Sequence, residues 1–275
     1  MQFRKVYISA DIEGVAGVLS HEQTVAGGFE YQQARQWMTN EVVAGCEAAF
    51  DCGVEEIVIS DSHGNAQNLL IDQLPHNTQL VRGWPRPLCM MEGIDQGRFD
   101  GALLLGYHPG ATDLRGVLAH TLHSGGIASI RLNGQLASET VISAATAAHF
   151  DVPIIMVSGD DAYAEHAQSI FGDIEVATVK SACSFTSTRT LLPVDAYGLI
   201  KQKVKAALDR LDDFKPYRIE LPIIVEVDCV KRKSAELLAY LAMFERVSAT
   251  GISFKAKDML EVSKVLSFLL SSGVL

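Results

Sequence analysis

Four short runs of β-branched and aliphatic residues constrain the fold more than any other feature of the chain. They are KVYISA at 5–10, EEIVIS at 55–60, GALLLG at 101–106 and PIIMVS at 153–158. Short runs of this composition suit β-strands. Between them lie longer stretches with helical spacing. Over 31–53, Ala34, Trp37, Met38, Val42, Cys46, Ala49 and Phe50 fall on one stripe, and Gly53 is a stop signal. Helices are also expected at 138–150, with Ser138 as N-cap, and at 160–172, stopped by Gly172. The alternation predicts an α/β fold, a mostly parallel sheet flanked by helices.

One segment departs from this pattern. IASIRLNGQLASE at 127–139 holds two alternating runs around Asn133-Gly134, which predicts an inserted β-hairpin. After about 180 the pattern changes again. The polar stretch SACSFTSTRTLLP leads to a helix near 194–213, a strand at 217–229 and a helix at 235–247. An extended run at 250–257 and an amphipathic helix at 259–272 follow. The expected organisation is an α/β domain over 1–190 with a smaller C-terminal α+β part over 191–275. No flexible linker separates them, so the second part should pack tightly on the first.

Composition narrows the functional classes. Lys and Arg number 23 against 33 Asp and Glu, a formal charge of −10, which argues against a nucleic-acid partner. Hydrophobic residues make up 48% and charged residues 20%, enough for a large core and too little charge for a disordered chain. No apolar run reaches the roughly 18 residues that a membrane span needs. The start MQFRKVYISADIEG is basic, but charge returns at Asp11 before an apolar signal core could form. A cytoplasmic location is expected. Cys46, Cys52, Cys89, Cys183 and Cys229 are odd in number with no C-x-x-C pair, so reduced thiols are expected rather than disulfides or a cysteine zinc knuckle.

Familiar catalytic motifs are absent. There is no GxGxxG, GxxxxGK[ST] or GxSxG, and His21-Glu22 begins HExxH only to fail at Val25. What remains is a set of acidic and imidazole residues at strand ends. Asp11-Ile12-Glu13-Gly14 follows the first run. If extended, it presents both carboxylates to one side; in a helix they would diverge by about 200°. Gly14 and Gly17 allow a sharp turn beneath them. Asp61-Ser62-His63-Gly64 follows the second run and Tyr107-His108-Pro109-Gly110 the third. Glu139 stands where the hairpin runs into a helix. Each could be a satisfied loop residue or a helix-dipole partner.

Together, Asp11, Glu13, His63, His108 and Glu139 can converge on one crevice at the carboxyl ends of the strands. Three carboxylates so packed repel unless cations sit between them. A pair of divalent ions would balance them, and mixed imidazole and carboxylate ligands suit zinc, with manganese or cobalt also compatible. His120 and His123 in HTLHSGG could then act as base or electrostatic helper, on one face if the stretch is helical.

These motifs make the chain resemble a known family, the zinc D-aminopeptidases of the DppA type. SADIEGVAGV at 9–18, SDSHGN at 60–65, MMEG at 90–93 and LLLGYHPGA at 103–111 carry the resemblance. So do VLAHTLHS at 117–124, LASE at 136–139, DVPIIMVSGDD at 151–161 and FKAKDML at 254–260. The resemblance implies a dinuclear zinc site in which Asp11 bridges. Glu13 and His63 would hold one metal, His108 and Glu139 the other. It implies that His120 assists catalysis and gives His123 no role. It also implies a metallo-aminopeptidase acting on short peptides or amino-acid amides that contain D-amino acids, in a homodecameric ring. The stretch 227–241 fits only loosely, and with the loop around His120 it bears on substrate preference, D or L.

Other readings are a dinuclear phosphoesterase, for which Arg115 and Arg131 are the nearest cations, and a metal-stabilised assembly protein without catalysis. In the first, two metals serve a phosphate ester; in the second, His120 is dispensable.

Overall fold

The apolar runs form the centre of a parallel sheet with both faces covered. The computed structural model describes residues 4–275; the first three positions of the expected 1–190 domain, with the start of its basic N-terminus, lie outside the described residues. Among the described residues, β1 (Lys5–Ala10) is followed by α1 (Tyr31–Asp51), β2 (Glu56–Asp61), β3 (Thr78–Val81) and β4 (Gly101–Leu105). The hairpin β5 (Ile127–Leu132) and β6 (Gln135–Leu136) leads into α2 (Glu139–His149). Next come β7 (Ile154–Asp160), α3 (Asp161–Phe171), β8 (Glu175–Ser184), β9 (Ser187–Thr190) and α4 (Pro193–Asp209). The chain ends through β10 (Ile223–Cys229), α5 (Arg232–Leu238), β11 (Glu245–Arg246), β12 (Gly251–Ala256) and α6 (Met259–Ser271).

The first sheet has the order β3-β2-β1-β4-β7-β8-β9, parallel throughout except for the β8–β9 hairpin. The second is antiparallel, in the order β11-β12-β10-β5-β6. The Asn133-Gly134 hairpin therefore exists, but it does not interrupt the parallel sheet. It pairs with β10 from the C-terminal stretch. Conversely, α4 buries Ala196, Ile200, Val204 and Ala207 in the first sheet's core, beside Ala34, Met38, Val42 and Ala49 of α1. Both segments cross the division expected near residue 190.

Between the sheets lies α2. Every residue from Glu139 to Ala148 is buried. Ala144 and Ala147 face the core of the first sheet, while Val141, Ile142 and Ala145 face that of the second, with α6. Small side chains let the helix be covered on both sides. Its N-cap is Ser138, whose hydroxyl accepts from the Val141 N–H as expected. Glu139 is thus held at the start of a helix packed on both sides.

Several boundaries differ from the sequence reading. The stretch around 175–190 forms β8 and β9 although its outer half is polar, because it runs at a half-exposed sheet end. The helix expected over 235–247 stops at Leu238 and gives way to β11. Among the described residues, no helix is long and apolar enough to cross a membrane. All five cysteines are free.

Candidate metal centre

Register places the candidate residues. Ala10 pairs with Asp61 on β2 and with Leu105 on β4, so the three strands end at one level. The ladder continues one step past β1: Asp11 N–H donates to Leu105 O and Ser62 N–H to Ala10 O, each at 2.8 Å. Asp11, His63 and His108 therefore leave the sheet side by side, at the carboxyl ends where α/β proteins build sites.

Beyond Asp11 the chain turns rather than extending, with Val15 N–H donating to Ile12 O at 3.2 Å. The extended i, i+2 geometry expected for Asp11 and Glu13 is therefore replaced by a turn. The outcome is the same, because the turn returns Glu13 to the side of Asp11. His63 Nδ1 lies 3.2 Å from Asp11 Oδ1 and 3.0 Å from Glu13 Oε2. The other carboxylate oxygen of Asp11, Oδ2, lies 3.4 Å from His108 Nε2, which is also 3.4 Å from Glu139 Oε2. Asp11 so stands between two imidazoles, with Glu13 flanking one and Glu139 the other.

The turn depends on two glycines. Gly14 N–H donates to Gly106 O at 2.8 Å, and a Cβ on Gly14 would lie 1.9 Å from Tyr107 O. The loops after β1 and β4 touch backbone to backbone, which fixes the spacing between Asp11 and His108. At Gly17, φ is +86°, a left-handed conformation that side chains disfavour.

His120 and His123 lie on an irregular loop, not the helix that the sequence left open, because Leu118 and Leu122 take left-handed backbone angles (φ 55° and 62°). The loop turns His120 inward. Its ring stacks on His108, with centroids 4.2 Å apart and planes 8° from parallel, and its Nε2 lies 3.8 Å from Glu139 Oε1. His123 is exposed at the cavity mouth.

Each inward imidazole has its other nitrogen against a main-chain carbonyl. His63 Nε2–H donates to Thr24 O at 2.8 Å, His108 Nδ1–H to Pro109 O at 2.9 Å and His120 Nδ1–H to Leu118 O at 2.9 Å. This pattern fixes ring orientation and leaves one nitrogen per ring facing the carboxylates, as in metal-ligating histidines. Sequence reading did not find these carbonyls, since any residue supplies one. Nor did it find Asp61's role. That carboxylate accepts from Asn68 N–H, Asn68 Nδ2 and Leu69 N–H, and Asn68 Nδ2 also donates to His63 O. Glu139 Oε1 accepts from Leu122 N–H at 2.6 Å, tying the His120 loop to α2.

The electrostatics are those of charges concentrated out of water. Burial alone would raise the Asp11 carboxyl, but the imidazoles of His108 and His63 facing it hold it well below its ordinary value. Burial opposes a charged imidazole, yet the facing carboxylates push His63 and His108 well above theirs, chiefly Glu13 for the first and Glu139 for the second. Glu139 is raised by burial and lowered further by His108, for a net lowering.

The residues fit divalent cations. Asp11 Oδ2, Glu13 Oε2 and His108 Nε2 are buried without a hydrogen bond, although oppositely charged groups lie close by. Buried polar atoms are rarely left so. Two groups, Asp11 with Glu13 and His63, and His108 with His120 and Glu139, each bring one donor atom per residue within 4.8 Å of the others. The oxygen and nitrogen donors suit zinc and related ions. A cavity of about 900 Å³ opens over Glu13, His63, His120 and Glu139, with Trp84 and Phe185 among its apolar walls. That is the size of a small-molecule site. Among the described residues lining it there is no Lys or Arg. Arg115 instead pairs with Glu165 on the surface, and Arg131 donates to Gly134 O.

Comparison with known proteins gives the family. A family model described as D-aminopeptidase matches residues 4–268. A D-aminopeptidase of Bacillus subtilis (strain 168) is 31% identical over 263 residues, 95% of each chain. The solved structure of a Zn-dependent D-aminopeptidase, DppA from Bacillus subtilis, described as a self-compartmentalizing protease, superposes with a TM-score of 0.92. Its identity is 30%, over 98% of this chain and 97% of the other.

Proposed function

Because the chain belongs to the D-aminopeptidase family and is a peptidase, we propose that it is a dinuclear zinc aminopeptidase removing the N-terminal residue from short D-amino-acid peptides or amides. The observation that carries this reading is the buried junction at Asp11, with its two oxygens directed to two imidazole–carboxylate groups.

Asp11 would bridge the metals. Glu13 and His63 would hold one, through His63 Nδ1; His108 and Glu139 would hold the other, through His108 Nε2. When bound, the pair supplies Lewis acidity that polarises the scissile carbonyl and makes water acidic enough to attack near neutral pH. Manganese or cobalt could substitute for zinc.

The chain's own groups do the rest. His120, with Nδ1–H on Leu118 O, directs Nε2 over the site. Its side chain is 18% exposed against 1% for His108, and its closest carboxylate oxygen is 3.8 Å away. These features support a proton-transfer or oxyanion role rather than ligation. His120 would stabilise the tetrahedral intermediate or pass a proton to the leaving amine.

The lack of cations lining the described cavity disfavours the phosphoesterase reading, and the open cavity disfavours a purely structural metal site. Exposed Leu237, Tyr240, Leu241, Met243 and Val247, all within one short stretch, support a homo-oligomer, which we propose to be a decamer. Unpaired cysteines are in keeping with a cytoplasmic location.

Hydrolysis of matched D- and L-aminoacyl amides, after chelation and reconstitution with zinc or manganese, tests the proposal. The D-amide should be cleaved, chelation should abolish the reaction and zinc restore it. Full activity after chelation, or cleavage of a generic phosphate ester alone, would overturn the reading.

A further inference from the structure

Lys180 on β8 is only 2% exposed. Burying an ammonium is costly, by several kcal/mol, unless its donors are satisfied in place. Its three protons all go to main-chain carbonyls of one loop: Glu13 O at 2.5 Å, Val15 O at 3.0 Å and Val18 O at 2.6 Å. That loop is the turn that carries Glu13 and follows Asp11. The opposite side is held by Glu41 of α1, itself 1% exposed, whose Oε1 accepts from Ala16 N–H at 2.9 Å. Gly17 N–H donates to Thr190 Oγ1 of β9 at 2.9 Å. Three elements, β8, β9 and α1, thus hold one six-residue loop by its backbone.

A methionine of similar length would fill the space without the desolvation penalty. What the ammonium adds is a three-point anchor for carbonyls that would otherwise be buried without donors. Burial lowers Lys180 to about 8, against the attraction of Asp160, Glu41 and Glu13, and raises Glu41 to about 7.

We infer that Lys180, with Glu41 as its counterpart, is a positioning residue of the metal centre, setting the Glu13 turn so that the Asp11–Glu13–His63 group binds its cation. The inference rests on the metal reading above. The effect should fall on the Glu13 side: Lys180 and Glu41 hold the loop that carries Glu13, none of their hydrogen bonds reaches His108 or Glu139, and the loop meets the His108 segment through Gly14 rather than through the clamped groups.

The test is zinc titration of the full-length protein against a chromophoric chelator, paired with the d–d absorption spectrum of the cobalt-loaded form. Lys180→Met should weaken one of the two zinc ions by about 10–100-fold, as loss of a ligand-orienting group does, and leave the other unchanged. The cobalt spectrum of the weakened site should shift. Lys180→Gln, which keeps a donor, should lie between. A folded Lys180→Met protein that binds both ions as wild type does, or loses both equally, overturns the inference. So does failure of both variants to fold, which would make Lys180 a support of the whole sheet. Wild-type protein that binds no zinc would instead defeat the metal reading itself.

Discussion

Replacing Gly14 with alanine tests the claim that backbone contact between two loops sets the spacing of the site. The added Cβ would stand 1.9 Å from Tyr107 O, 2.5 Å from Gly106 C and 2.7 Å from Gly106 O, where 3.0 Å is the practical limit. All three are main-chain atoms, so no side chain can swing aside. The loops must part by roughly 1 Å, an overpacking that costs about 1–3 kcal/mol. Tyr107 is followed by His108, and Asp11 lies three residues before Gly14, so the displacement falls on the 3.4 Å gap between His108 Nε2 and Asp11 Oδ2. Sites of this kind tolerate roughly 0.5 Å. A 1 Å error can cost about 100-fold in rate. Gly14→Ala should therefore lose about 100-fold in kcat/KM for an aminoacyl amide while its melting temperature falls by only a few degrees. A folded variant with wild-type zinc content and wild-type rate would refute the reasoning.

Three further outcomes are expected. Gly198→Ala, at an exposed α4 position where a Cβ meets nothing within 4 Å, should raise stability by about 0.5–1 kcal/mol in thermal unfolding and leave hydrolysis unchanged. His108→Ala should lose one metal by elemental analysis, whereas His120→Ala should keep both and lose turnover; metal loss in the second would make His120 a ligand. The third concerns pH. With folded-state values above 6.5, His63 and His108 add stability to the metal-free protein that is full below pH 6.5 and fades as pH rises through those raised values. Asp11, lowered below 3.8, adds stability above that pH that is lost as pH falls through its depressed value. Zinc must displace the imidazole protons, so the rise in melting temperature that it gives should grow from pH 6 to pH 8. A zinc effect independent of pH would contradict this.

Much of the framework was legible because burial on both faces leaves a plain trace. β1, β2, β4 and β7 read as apolar runs, and α2 and α3 were bounded by Ser138 and Gly172. The membership of the hairpin was not legible, since β5 pairs with β10 almost a hundred residues later and pairing partners leave no local mark. β3 and β9 were missed because edge strands carry polar residues such as Thr78, Gln79, Thr188 and Arg189. At the site, residue types at strand ends brought Asp11, Glu13, His63, His108 and Glu139 into one group, and the structure brings them together. The turn at Glu13, the loop of His120 and the carbonyl partners of the three imidazoles depend on backbone angles that the sequence does not spell out. Lys180 stood in the sequence as a lone cation amid EVATVKSAC, a signal of an interior partner that becomes readable only once β8 is known to be a strand.

The central claim is that Asp11 joins two cation sites. An anomalous difference map recorded at the zinc edge, from crystals grown with zinc, tests it most directly. Two peaks are expected on either side of the Asp11 carboxylate, one against Glu13 and His63, the other against His108 and Glu139. A single peak, or peaks that leave Asp11 without contact, would contradict the account.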